Sequence, residues 1–180
     1  LYTFYELKKQ LPAFISHGME GAVLLFDVDR LQRINDILGY LVGDEVLQRL
    51  GQKCQSMEGV ISYRGPGGKF YCITTEKSES ALDRIYREVQ RFSVEVPREM
   101  NLEIQLTISC GVAFFPQDAE DFETLHANVE YALEQAKKVG RGSIAQFSGQ
   151  MHRKTVEKFR LQEVLRESVA NNCRGFALVY

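Results

Sequence analysis

The 180-residue sequence has little positive charge to spare: 22 Lys and Arg stand against 24 Asp and Glu, for a formal net charge of −2. Proteins that grip a nucleic-acid backbone usually carry the opposite excess, so nucleic acid is a poor main partner, although a local basic cluster can still hold a nucleotide. Cysteine is equally sparse. Cys54, Cys72, Cys110 and Cys173 lie far apart with no C-x-x-C pair, which argues against a zinc ribbon or redox motif and suits buried, reduced thiols in a reducing cytosol. No apolar run approaches the roughly 20 residues that span a bilayer, and the N-terminus lacks the layout of a signal peptide. The fragment is therefore expected to be cytoplasmic and to make no membrane contact. Internal repeats and low-complexity tracts are missing too, and the chain opens on Leu1 rather than methionine, which reads as a piece of something longer.

What is present is an ordinary globular composition, 44% hydrophobic and 26% charged, sufficient for one sizeable core with an appendage. Phe4, Leu7, Leu11, Phe14 and Ile15 follow helical spacing, and Ala22 to Phe26 is an apolar run that predicts a buried central strand. A second helix is expected from Leu41 to Met57 and a third from Ser80 to Phe92. Leu102 to Ile108 alternates strictly, the pattern of a half-buried strand, with Gly111 to Phe115 continuing or pairing with it. Phe122 to Val139 predicts a helix stopping at Gly140, followed by a short strand over Ser143 to Phe147. Residues 1–148 are expected to form one α/β or α+β domain, helices packed on a mainly antiparallel sheet. Residues 149–180 read as a connector helix over Gly149 to Ala170, then the beginning of a strand at Phe176 to Tyr180.

Two places could carry chemistry. Val60 to Tyr63 and Phe70 to Thr74 have the β-branched and aromatic character of paired strands, so the Gly-rich residues between them read as a hairpin tip that brings backbone amides close to a ligand. Asp27 and Asp29 end the central strand, where alternation puts both carboxylates on one side, suited either to Mg²⁺ with substrate phosphates or to a solvated turn. Asn35-Asp36 and Gly43-Asp44 favour turns, and Asp44 suits a cap for a helix beginning at Glu45. Lys137 and Arg141, four apart at a helix end, can clamp a phosphate or simply complement the helix dipole.

Together these features are far more specific. The stretch from Phe26 to Asp44 resembles the GGDEF-family pattern D-x-D-x-F-K-x-x-N-D-x-x-G-H-x-x-G-D at nearly every fixed place. Ser109-Cys110-Gly111-Val112-Ala113 with Pro116, and Ala136-Lys137-Lys138-Val139-Gly140-Arg141, resemble the family's later motifs. Pro66, Gly67, Gly68, Lys69 and Phe70 occupy the five places of the signature itself. The likeness covers Leu1 to about Phe147. It implies a nucleotide-cyclase-like fold with a ferredoxin-like sheet core, surrounding helices and an antiparallel signature hairpin. It also implies roles: Asp27 and the Val28 carbonyl as Mg²⁺ ligands, Asn35 and Asp44 as guanine readers, Lys137 and Arg141 as phosphate-binding cations, and a homodimer with one GTP in each half.

The departures from the family pattern are as specific as the matches. Gln32 replaces a phosphate-contacting lysine, Tyr40 a histidine, Gly68 the second metal-binding acid and Lys69 the adjacent glutamate. Like charges about 4 Å apart at an effective dielectric near 20 repel by roughly 4 kcal/mol, so an ammonium beside a depleted metal site opposes two-metal chemistry. Lys69 could instead rest against the phosphates and stand in for a missing cation. Met57 and Val60 fall where the family's R-x-x-D product-inhibition motif belongs, so feedback binding of cyclic di-GMP is not expected there. Phe159 to Arg166 and Phe176 to Tyr180 resemble the lead-in helix and first strand of an EAL phosphodiesterase domain, none of whose metal ligands lies in this chain. The reading that follows is a GGDEF-like regulatory domain without catalytic residues, binding GTP and modulating a downstream EAL phosphodiesterase of the same polypeptide. An atypical active cyclase, with Asp29 or water in place of the lost ligand, and an interaction module with a relic pocket are the alternatives.

Overall fold

The computed structural model describes residues 1–170, which fall into two compact units divided after Phe147. The first begins with β1 (Tyr2–Thr3), α1 (Phe4–Ser16), β2 (Gly21–Val28), α2 (Leu31–Leu38) and α3 (Tyr40–Ser56). The hairpin β3 (Ile61–Arg64) and β4 (Lys69–Thr74) follows, then α4 (Glu79–Glu99), β5 (Ile108–Phe115), α5 (Phe122–Val139) and β6 (Ile144–Gln146). The second unit contains α6 (Gly149–Ala170). The strand expected at Phe176 to Tyr180, and Cys173, lie outside the described residues.

Side-chain caps start three of these helices, while α4 runs on to Glu99, past the Phe92 where its end was expected, and α2 is a helix the sequence pattern did not predict. Thr3 caps α1 reciprocally with Glu6: the Glu6 N–H donates to the Thr3 hydroxyl, and the Glu6 carboxylate accepts from the Thr3 N–H at 2.6 Å. Ser78 and Asp121 cap α4 and α5 by accepting from backbone amides of the first turn. Between β3 and β4 a single 3₁₀ turn at Pro66–Gly68 reverses the chain, and the Gly65 N–H donates to the Lys69 carbonyl at 2.9 Å to close it.

The strand order is β1-β3-β4-β2-β5-β6. β2 lies antiparallel to both β4 and β5, and β4 is inserted between the mutually parallel β2 and β3, a split β-α-β arrangement that gives the expected ferredoxin-like core. Helices cover both faces. Ala22, Leu24, Phe26 and Val28 of β2 pack with Val46 and Leu50 of α3 and Ile85 and Val89 of α4, whereas Val23 and Leu25 pack with Leu7 and Leu11 of α1 and Leu125 and Val129 of α5. Burial on both faces explains why β2 reads as one continuous apolar run. Gly111 lets α5 lie directly on β5: a Cβ there would fall 2.4 Å from backbone atoms of Val129 and Leu133. Among the described residues no helix is long and apolar enough to cross a membrane.

Two expectations need correction. Residues 102–107 form no strand, although their burial does alternate between Glu103 and Leu106 and β5 begins only at Ile108. β2 ends at Val28, opposite Ile108, and the chain then turns away through Arg30 at φ 54°, so nothing remains for residues 102–107 to pair with beyond one bond from the Asp29 N–H to the Thr107 carbonyl. Asn35-Asp36 and Gly43-Asp44 are not turns either, and Asp44 is not a cap. Both pairs lie inside helices, and the break falls at Gly39, with φ 88°. Inside α3, position 43 has room only for glycine because α2 packs against it: a Cβ would meet Asn35 Oδ1 at 1.8 Å.

Candidate functional site

The end of β2 organises the site. Positions 23 and 25 face α1 and α5, and alternation carries Asp27 onto the same side, level with Lys69 of β4 and Ser109 of β5. There Lys137 of α5 places Nζ 2.7 Å from Asp27 Oδ2, and also lies 3.4 Å from Glu134. Burial lowers the Lys137 pKa, but the hydrogen bond and charge of Asp27 more than offset it, and the net shift is upward. The ammonium therefore stays charged against Asp27.

Asp29 goes elsewhere. It is 5% exposed, and its carboxylate accepts from Thr107 Oγ1 at 2.9 Å, from Ser109 Oγ at 2.9 Å and from the Gly142 N–H at 3.0 Å. Its lone pairs are taken up in holding the end of β2, the start of β5 and the turn after α5. The Tyr86 hydroxyl donates to the Gly142 carbonyl at 2.7 Å and pins that turn from the other side.

At the hairpin tip, Gly67 and Gly68 both have positive φ, 65° and 92°. A Cβ at Gly68 would lie 4.0 Å from Asp27 Oδ1 but only 2.9 Å from Leu31 Cδ2. An acid side chain at this place would adjoin Asp27, and what stands there is glycine with a leucine methyl close by. Lys69 turns toward α5 and donates to both oxygens of Glu130, at 2.8 and 2.6 Å. Tyr71 extends this network: its hydroxyl lies 2.9 Å from His126 Nε2 and donates to Glu130 Oε1 at 3.2 Å. Burial, reinforced by Glu130, pushes the Tyr71 phenol far up, and burial lowers His126 despite the opposing pull of Glu130.

The residues here do not fit a divalent cation. Asp27 is paired with an ammonium, Asp29 is saturated by its donors and Gly68 offers nothing, so the Val28 carbonyl would stand without a free carboxylate beside it. Among the described residues no group of three or more His, Cys, Asp and Glu comes together to hold a metal.

The guanine-reading pair fares differently. Asn35 of α2 packs directly on Gly43, the residue before Asp44 in α3, so the two expected readers are brought together. Asn35 Oδ1 is buried with no hydrogen-bond partner, while Asp44 is exposed. Lys137 and Arg141 are not joined on one point, because the helix ends at Gly140: Lys137 faces Asp27, and Arg141 lines a separate cleft with Asp29, Arg30 and Arg33. Met57 is buried in the core and Val60 packs against it.

Sequence reasoning missed Glu130, His126 and Tyr71. The signal was present on α5, where His126, Glu130 and Lys137 stand at i, i+4 and i+11, a polar stripe beside buried Val129 and Leu133. It also gave no role to Arg64, whose guanidinium lies 4.3 Å from the Phe70 ring centroid, feels the charge of Asp44, and keeps one buried nitrogen, Nη1, unpaired.

Comparison with known proteins agrees with this geometry. Residues 2–143 match the family described as "Diguanylate cyclase, GGDEF domain". The chain is 28% identical over 160 residues to the cyclic di-GMP phosphodiesterase NbdA of Pseudomonas aeruginosa, covering 86% of this chain and 20% of that protein. It is 31% identical over 135 residues to the diguanylate cyclase DosC of Escherichia coli K12, covering 71% of this chain and 28% of that protein. The chain thus spans less than a third of either relative. The solved structure of the active GGEEF domain of a Vibrio cholerae diguanylate cyclase superposes with a TM-score of 0.72 at 22% identity, covering 82% of this chain and 98% of that one. With the split β-α-β sheet, the turn at Gly67 and Gly68 and the match over residues 2–143, this chain belongs to the GGDEF family of cyclic di-GMP signalling proteins.

Proposed function

We propose that this is a GGDEF domain without cyclase activity, one that holds GTP and modulates a cyclic di-GMP phosphodiesterase further along the same cytoplasmic polypeptide. The observation that carries the reading is Gly68. A Cβ there would stand 4.0 Å from Asp27 Oδ1, where a second acid could complete a metal site, and Leu31 closes on it. With Asp27 engaged by Lys137, the site has a cation of its own where phosphoryl-transfer chemistry would need divalent metal.

Binding makes different demands from turnover. Asn35 and Asp44 offer guanine an amide and a carboxylate, the latter able to accept from N1–H and N2–H₂, which adenine does not present together. A buried amide oxygen without a partner costs roughly 1–3 kcal/mol unless a ligand satisfies it. Lys137 supplies positive charge for the phosphates on the side of Asp27, whereas Arg141 faces the neighbouring cleft. Association with a phosphodiesterase is supported by the relative that bears that name, and the greater length of that relative leaves room for a second domain.

The test is two measurements on the purified chain. Incubation with GTP and Mg²⁺ or Mn²⁺ should leave no cyclic di-GMP detectable by chromatography, and titration calorimetry should show GTP binding of similar affinity with and without Mg²⁺. Turnover at a rate usual for cyclases removes the first half of the proposal, and absence of heat in both conditions removes the second.

A further inference from the structure

A second cleft opens on the far side of α2 from the guanine readers. Its volume is about 750 Å³, within the range of about 300–1,000 Å³ usual for small-molecule sites, and it lies between α2 and the unpaired segment at residues 103–107. Arg33, Ile34 and Ile37 of α2 form its wall, and Arg30, the left-handed residue just before the helix, stands at the end of it. Asn35 is turned about 200° around the helix from Arg33, toward Gly43, so the two sites use opposite faces.

The lining is polarised. Arg30, Arg33 and Arg141 contribute three guanidiniums, all exposed and none in an ion pair among the described residues, whereas Arg49, Arg84, Arg87 and Arg91 each have a carboxylate partner. Asp29 also borders the cleft, but its carboxylate is spent on Thr107, Ser109 and Gly142. Ile37, 62% exposed, and Ile104 add apolar surface, and Glu103 adds an exposed carboxylate. Three unpaired guanidiniums in one concavity repel one another and are relieved by a multivalent anion, most effectively a phosphate that can accept paired N–H donors. The aliphatic surface suits the face of a planar ring.

We infer that this cleft is a second nucleotide site, which takes a guanine nucleotide with its phosphate on Arg30, Arg33 and Arg141, its purine against Ile37 and Ile104, and its donor edge toward Glu103. The site is independent of the Asn35 and Asp44 pocket and borrows only Arg141 from the residues assigned to it. Because Asp29 borders the cleft and also holds the turn at Gly142, occupancy would stiffen the segment that follows Lys137.

Titration calorimetry of the whole chain with GMP, AMP and inorganic tripolyphosphate tests it, comparing the unmodified protein with Asp44→Ala alone and combined with Arg33→Glu. Arg33 is exposed on a helix, so the charge reversal should leave the thermal midpoint nearly unchanged. GMP binding should persist in Asp44→Ala and weaken at least about tenfold when Arg33→Glu is added to that variant, as expected for loss of a charge-assisted contact. GMP should bind more tightly than AMP. Unchanged affinity on adding Arg33→Glu to Asp44→Ala, no GMP binding by Asp44→Ala, tripolyphosphate binding as tightly as GMP, or equal affinity for AMP each overturns the inference. Loss of one of two GTP sites in Asp44→Ala, with GMP binding retained at the other, fits both readings, so the two fail separately.

Discussion

Lys69 donates to both carboxylate oxygens of Glu130, at 2.8 and 2.6 Å, and so binds the signature hairpin to α5. Both side chains are about three-quarters buried, 26% and 23% exposed, which places the pair between the weak surface bridges and the costly interior ones. Glu130→Gln should lower stability by about 1–3 kcal/mol, read from urea unfolding, because it leaves the ammonium with one weak acceptor. The double variant with Lys69→Met should be less unstable than the sum of the single ones, since the two residues act on each other.

Restoring an acid to the signature should not restore an enzyme. Gly68→Asp must adopt φ near 92° and displace the Leu31 methyl 2.9 Å from its Cβ, at a cost of about 1–2 kcal/mol. The adjacent Lys69 and the Lys137–Asp27 pair remain. The expected result is a lower unfolding midpoint and still no cyclic di-GMP from GTP.

The buried histidine makes stability depend on pH. His126 is held below its ordinary value of 6.5 chiefly by burial, with Glu130 and Glu123 pulling up and Lys69 and Lys8 pushing down. The unfolded chain therefore takes up this proton first as the pH falls, so stability is full above about 6.5 and is lost below it, with a slope of at most about 1.4 kcal/mol per pH unit. The lowered Glu6, Glu20, Glu88 and Asp121 and the raised Asp118 act around the carboxylate range, below this window. Thermal midpoints should fall between pH 7.5 and 5.5 in the unmodified chain and much less in His126→Gln.

Asp29→Asn tests the claim that this carboxylate is structural. An amide can accept at only one of the two oxygens now facing Thr107, Ser109 and Gly142, and its NH₂ would confront donors. A loss of about 1–3 kcal/mol is expected, together with faster amide exchange at Gly142.

These residues also mark what could be read from the sequence. β2 was legible because burial on both faces leaves no polar position in Ala22 to Phe26, and the hairpin because Gly67 and Gly68 supply the positive φ its tip requires. Residues 102–107 misled because alternation reports burial, not pairing, and pairing was decided by where β2 turns away at Arg30. Asn35 and Gly43 favour turns by residue type, but their place inside helices depends on each other, the amide of one filling the space beside the other. Lys69 was visible as a misplaced charge, yet its partner lies 61 residues away on another element, a separation that no local pattern bridges.

Asn35 offers the sharpest separation of stability from function. Its Oδ1 is buried without a partner, and asparagine is a poorer helix former than alanine in the interior of α2. Asn35→Ala removes an unsatisfied acceptor and improves helix propensity, which together outweigh the packing its amide makes on Gly43, so the folded state should gain up to about 1 kcal/mol. GTP affinity should fall at least about tenfold, because a guanine contact is lost while Asp44 remains. A destabilised Asn35→Ala with intact GTP binding would show that the amide serves the packing of α2 on α3. A stabilised variant with weakened binding would mark Asn35 as a residue kept for its ligand at the expense of the fold.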